Sequence, residues 1–251
     1  MASRIPSRRL SIAAVTISLM AAACSKAPEP AQGVSLAAQP GPACNRQCLI
    51  DATDAYVSAL VAHDPSKAPL ATGLAFVENV TKMKPGEGLW KSMVNAPGTF
   101  AIHVPDEATQ SAGYLAMVTY LGPAQAPQGA SPEQREEYAK KNPPVEQPAI
   151  IAIRLQLDAA GKITQAEHLV SGVREQQLVN LQSPRPGIFT EIPAQPRKSR
   201  DELIRIGLSY YDALDDNNGD LSPFAPDCER HENGMITASG KPSTAAAVPG
   251  A

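Results

Sequence analysis

From Asn45 the apolar positions Leu49, Ala52, Tyr56, Ala59 and Leu60 recur every three or four residues as far as His63. This period lays one apolar stripe along a helix. Asp64-Pro65 ends it, because the residue before a proline is biased away from helical backbone. The period then falls to two. A short strand is predicted at Ala75 to Thr81, and further strands at Thr99 to Val104, Ala112 to Leu121, Ala149 to Leu157 and Ile163 to Val170. The last two flank the turn Asp158-Ala159-Ala160-Gly161-Lys162 and read as a hairpin. A Gly-rich turn, Pro85-Gly86-Glu87-Gly88, leads into Leu89-Trp90. The polar stretch from Gly122 to Pro148 reads as an exposed loop with a helical turn or two around Glu133 to Lys140.

After Gly172 a Pro-rich connector reaches Ser199-Arg200-Asp201-Glu202, where serine at the cap and glutamate three residues on form the pattern of a capping box. The helix predicted to follow carries Leu203, Ile206, Tyr210 and Leu214 on one face. It repeats the first helix. One gapless shift pairs Arg46 with Arg200, Leu49 with Leu203, Tyr56 with Tyr210, Leu60 with Leu214, Glu78 with Glu232 and Asn79 with Asn233. A single repeat at this spacing is a duplication, not a solenoid. Only a polar, Ala-rich tail follows Gly234, so the second copy is expected to be incomplete.

The N-terminus has the zones of an export signal: Arg4, Arg8 and Arg9, an apolar run from Leu10, then Ala21-Ala22-Ala23 before Cys24. The run is roughly 14 residues, too short to span a bilayer. Small residues directly before a cysteine suit lipoprotein processing, with the Cys24 thiol receiving the lipid; ordinary cleavage after Ala23 is the alternative. The expected order is a lipoprotein signal at 1–23, a flexible Pro/Ala tether at 24–43, one domain at 44–172, a connector at 173–198, a partial repeat at 199–237 and a tail at 238–251. The expected location is the periplasmic face of a Gram-negative-type envelope. Ser25 in place of aspartate favours the outer membrane. The net charge is −3, and losing the signal's three arginines makes the chain more acidic, which gives nucleic acid no footprint.

Cys44 and Cys48 stand one helical turn apart and can pair if the first turn is distorted or non-helical, leaving Cys228 over. No second ligand pair follows at zinc-finger spacing, so neither a metal nor a cofactor is expected.

A helix followed by a short strand and a long antiparallel sheet resembles the cone-shaped α+β class of nuclear transport factor 2-like, or SnoaL-like, domains. The phrases CNRQCL, YVSALVAHDP, FVENV, GEGLW and AIRLQLDAAGKITQAEHLV resemble an uncharacterised family of secreted bacterial and fungal proteins. Members of that family carry a second region like SRDELIRIGLSYYDALDDNNGDLSPFAPDCERHENG. The usual ENG after the first strand reads Glu78-Asn79-Val80 here.

The resemblance implies a ligand cavity between the concave sheet and the helices, where enzymes of the class place an acid-base pair. Trp90, Tyr114, Tyr120, Glu78 and Asn79 are the candidates to line it, although Trp90 fits a plug equally well and a repeated Glu-Asn pair also suits a turn. His103 shares a face with Ala101, opposite Phe100, Ile102 and Val104; it is a general base if that face is concave and a solvated histidine otherwise. Glu167 and His168 are strand neighbours and point to opposite sides, so only one faces a cavity; Glu167 joins His103 as the catalytic candidate. The run Asp215 to Asp220 fails the calcium-loop pattern, since Leu214 and Ala225 would fall at ligand positions. The expected function is binding of a small apolar or amphipathic molecule. Cofactor-independent lyase, dehydratase or isomerase chemistry and sheet-mediated homodimerisation are the alternatives.

Overall fold

The computed structural model describes residues 44–239, apart from 128 and 196. The predicted signal, tether and lipidation site at Cys24, and the tail beyond 239, lie outside the described residues. Among those described, no helix is long and apolar enough to cross a membrane.

The first helix, α1 (Arg46–Val61), starts where Asn45 turns its side chain back to accept the Cys48 N–H at 2.9 Å. Cys44 lies just outside the helix, so its disulfide to Cys48 spans a Cα–Cα distance of 5.2 Å without distorting a helical turn. The Gln110 side chain fixes the same residue by accepting from the Cys44 N–H at 2.8 Å and donating to its carbonyl at 2.9 Å.

Next come β1 (Leu70–Glu78) and β2 (Thr81–Met83), then the short helix α2 (Leu89–Ser92) and the strands β3 (Met93–Asn95), β4 (Ala101–Asp106) and β5 (Ser111–Gly122). The single strand expected at Ala75 to Thr81 is therefore two, joined by a turn at Asn79-Val80. The polar loop carries α3 (Pro132–Lys141), capped by a reciprocal Ser131–Gln134 box. The long strands β6 (Val145–Leu157) and β7 (Ile163–Gly172) complete the sheet.

The strand order is β2-β1-β7-β6-β5-β3, with β4 also on β5. All pairs are antiparallel except β1 with β7, which run parallel. Burial along β5 and β6 alternates residue by residue, as a sheet covered on one face requires. Helix α1 covers that face. Leu49, Tyr56, Leu60, Phe76, Leu89 and Trp90 are all but sealed from solvent there. Full burial of an aliphatic side chain of this size contributes about 1.5–3 kcal/mol.

The expected connector is not a plain linker. It carries α4 (Glu175–Leu178), and Val173 and Leu181 pack on Phe100 and Ile102 against the other face of the sheet.

Helix α5 (Arg200–Asp215) is followed by the hairpin β8 (Glu229–Glu232) and β9 (Met235–Ser239), so β9 extends into the expected tail. Only half of the predicted capping box forms: Ser199 accepts the Glu202 N–H, while the Glu202 carboxylate pairs with Lys198 at 2.7 Å. The second segment repeats the first in structure as well as in sequence. Asp64 and Asn218 each cap a 3-10 turn, Pro65–Lys67 and Gly219–Leu221. His63 and Asn217 are left-handed at φ 53° and 48°. The hairpin turns match too, Asn79-Val80 at 45° and 59° and Asn233-Gly234 at 48° and 87°. A bidentate ion pair from Arg200 to Asp106 ties α5 to the end of β4.

Candidate functional site

The strand registers align His103 with Tyr114, Tyr114 with Ile153, Ile153 with His168 and His168 with Glu78. These five residues form one row across the α1-facing side of the sheet. With strands about 4.8 Å apart, the row is on the order of 19 Å long. Helix α1 adds one polar group above each end, Tyr56 over His168 and Asp54 over His103.

The Glu78 end is buried, with Glu78 at 8% exposure and His168 at 1%. The Glu78 carboxylate accepts the Leu89 N–H at 2.9 and 3.2 Å, which positions the first turn of α2. It also lies 3.2 Å from His168 Nδ1; a carboxylate can only accept, so Nδ1 carries the proton. In the neutral ring Nε2 is then the acceptor for the Tyr56 hydroxyl, 3.0 Å away. Burial pushes the Tyr56 phenol far above the usual tyrosine range, the Trp90 indole pulls the other way, and the Glu78 charge adds to the rise. The phenol therefore stays protonated and able to donate. Trp90 packs edge-on against Tyr56 at 5.2 Å. Its indole N–H lies near the Tyr56 oxygen but outside hydrogen-bond geometry, leaving a buried donor without an acceptor. His63 Nδ1 donates to the Trp90 carbonyl at 2.7 Å and pins that backbone.

The other end of the row is open. His103 Nε2 lies 2.8 Å from Asp54, with 26% of the histidine side chain and 57% of the aspartate exposed. The face that was to decide His103 is thus the one covered by α1. The Tyr114 ring is 4.7 Å away, and its phenol is pushed up to about 12, first by burial and then by the Asp54 charge. A histidine oriented by a carboxylate at a solvent-accessible rim can take and return a proton. Asp54 was missed in the sequence because it lies off the apolar stripe of α1; only the fold brings it to His103.

Other predicted site residues fall elsewhere. Glu167 is on the opposite face, paired with Arg154 at 3.2 Å, so the catalytic assignment is corrected: its neighbour His168 turns inward. Asn79 extends the β1–β7 ladder beyond the turn, accepting the Val170 N–H at 2.9 Å and donating to its carbonyl at 3.1 Å. Tyr120 sits six residues along β5 from Tyr114, on the order of 20 Å away. Trp90 is a plug. The candidate ligand residues therefore do not converge on one cavity, because core side chains fill the space between α1 and the sheet. Among the described residues, no group of three or more His, Cys, Asp or Glu is placed to hold a metal.

Open space lies in a cleft of about 770 Å³ beside the 122–148 loop, lined by Gln125, Arg135, Glu136 and Arg174 among others, and on the second segment. A trough of about 580 Å³ runs between α5 and the β8–β9 hairpin, lined by Tyr210, Ala213, Leu214, Phe224, Ala225 and Cys228 among others. A smaller apolar cleft of about 160 Å³ separates the hairpin from Phe100, Ile102 and Leu115.

Residues 196–250 match the model of a domain of unknown function, DUF8021. No curated protein matches. A polyketide cyclase-type protein of Xanthomonas campestris pv. campestris is similar at 15% identity and TM-score 0.34, over 55% of this chain and 98% of its own. Candida albicans Mtr2 is similar at 12% and 0.28, over 51% and 97%. A phenazine biosynthesis-related protein of Pseudomonas aeruginosa is similar at 12% and 0.28, over 61% and 95%. The fold is α+β, with helix α1 laid across one face of a seven-stranded, mainly antiparallel sheet and a second segment after it that repeats the first helix and hairpin.

Proposed function

We propose that the chain is an envelope lipoprotein, held through Cys24 at the periplasmic face, that binds an apolar or amphipathic ligand in the trough beneath α5. The observation that carries the ligand reading is the trough itself: its volume suits a small-molecule or peptide site, and its lining is mostly apolar. The cone, filled with its own side chains, serves as a rigid mount.

Titration with the apolar dye 1-anilinonaphthalene-8-sulfonate tests this reading. Dye fluorescence is expected to rise on binding and to fall at least tenfold in apparent affinity in Leu214→Asp. Unchanged dye binding in that variant would remove the trough from the proposal. The anchor rests on Ala21-Ala22-Ala23-Cys24 and is tested by palmitate labelling, expected in the wild-type chain and lost in Cys24→Ser.

A second reading, proton transfer on a small substrate at the rim of the cone, is favoured by the 2.8 Å pair of His103 and Asp54. Turnover of such a substrate would be lost in His103→Ala and kept in Glu167→Ala.

A further inference from the structure

We infer that the ligand of this trough is an extended segment of a partner protein, with apolar residues at alternate positions and basic residues at its ends, which pairs as a parallel strand with β8. This rests on the trough being the binding place.

The first copy supplies the template. On α1, Leu49, Val57 and Leu60 are 0, 6 and 0% exposed because the sheet covers them. Their equivalents on α5, Leu203, Tyr211 and Leu214, are 57, 68 and 50% exposed. The two hairpins differ in the same way. In the first copy β1 has β2 on one side and β7, in parallel, on the other; β8 pairs with β9 alone among the described residues. The end of that uncovered helix stripe, at Leu214, and β8, a strand without a second neighbour among the described residues, line the same apolar trough. What occupies the equivalent place in the first copy is β7, whose Ala166, His168 and Val170 turn inward while Gln165, Glu167 and Leu169 turn away. A strand adding to an open sheet edge obtains its hydrogen bonds from the backbone and its specificity from alternate side chains.

The charge of the stretch that carries most of the trough's lining, Glu229 included, sets the ends of the segment. Between Asp212 and Glu232 the chain carries seven carboxylates and one arginine, Arg230. The matching stretch of the first copy, Ser58 to Glu78, carries two carboxylates and one lysine. The acidic surplus is thus confined to the copy whose face is bare, and it attracts a cationic segment.

The test uses the full chain and two fluorescent synthetic peptides. One is a ten-residue peptide of alternating valine and threonine, flanked by lysine pairs; the other has the same composition with the alternation abolished. The alternating peptide is expected to displace the dye, to bind at least tenfold more tightly than its control, and to slow amide exchange at residues 229–232. Leu214→Asp and Phe224→Asp, both at exposed positions lining the trough and checked for native circular dichroism, are each expected to weaken it at least tenfold. Equal binding of both peptides would reduce the effect to charge and overturn the inference. Dye binding that neither peptide displaces, but that a lipophilic small molecule does, would overturn it while leaving the trough as the ligand site. Absence of dye binding would instead remove the trough reading and this inference with it.

Discussion

Tyr56 and His168, 112 residues apart in the chain, meet at 3.0 Å in the part of the core where exposure falls almost to zero. The phenol closes a series that runs from the Leu89 N–H through Glu78 and the imidazole to the middle of α1. A buried polar connection thus joins the first helix, the first and last strands of the large sheet in chain order and the start of α2.

Tyr56→Phe keeps the ring and its contact with Trp90 but leaves His168 Nε2 buried without a partner. The expected loss is roughly 1–3 kcal/mol in denaturant unfolding, the usual cost of an orphaned buried group. Stability equal to the wild type would mean that the link contributes nothing net.

Val80 occupies the second position of a two-residue hairpin turn at φ 59°, with 94% of it exposed. A β-branched residue is strained there, and the equivalent turn uses Gly234. Val80→Gly loses no packing. Set against the larger chain entropy of glycine, a net gain of roughly 0.5–1 kcal/mol is expected, with Tm rising by about 2 °C in calorimetry.

The disulfide from Cys44 to Cys48 has an electrostatic counterpart in the second copy, where the equivalent positions hold the ion pair of Lys198 and Glu202. Replacing both cysteines by serine is expected to lower stability by about 2 kcal/mol, the low end for a disulfide because the closed loop is short. Disrupting the exposed pair by Lys198→Ala should change it by less than about 0.5 kcal/mol. Comparing the two denaturation midpoints checks both statements.

Asp106 is pushed up by burial, but hydrogen bonds from Arg200 and Thr109, the Arg200 charge and the Ala108 N–H together hold it below the usual carboxylate range. A carboxyl lowered in the fold stabilises fully above its unfolded value, near about 4, and loses that contribution as pH falls through its folded value. The attachment of α5 to β4 is therefore expected to weaken below about pH 4. Amide exchange at the start of α5 should be faster in Asp106→Asn than in the wild type at pH 6, with the difference shrinking as pH falls below about 4.

The alternation of Ala112 to Leu121 and Ala149 to Leu157 made the strands legible, because a sheet covered on one face writes its period directly into side-chain polarity. The repeat was legible for a related reason: caps, turn residues and stripe recur together. Which of Glu167 and His168 faces inward was not legible. The two alternate sets, Ala166 with Val170 and Gln165 with Leu169, are each part polar and part apolar, and only the helix laid over the sheet distinguishes them. The pairing of β1 with β7 was hidden as well, since no local signal selects a strand about ninety residues away. Asp54 was hidden in the same manner, being a solvent-side helix residue until β4 brings His103 to it.

The parallel pairing of β1 with β7 also imposes an order on assembly. Helix α1 can settle on β4 and β5 as they form, but the outer edge of the β1–β2 hairpin has no strand to pair with until β7 has been delivered, and contacts so distant in sequence are slow to close. During that interval the first copy carries an open strand edge, the condition in which β8 stands among the described residues of the finished fold. The second segment thus displays in the native state what the first is only in passing.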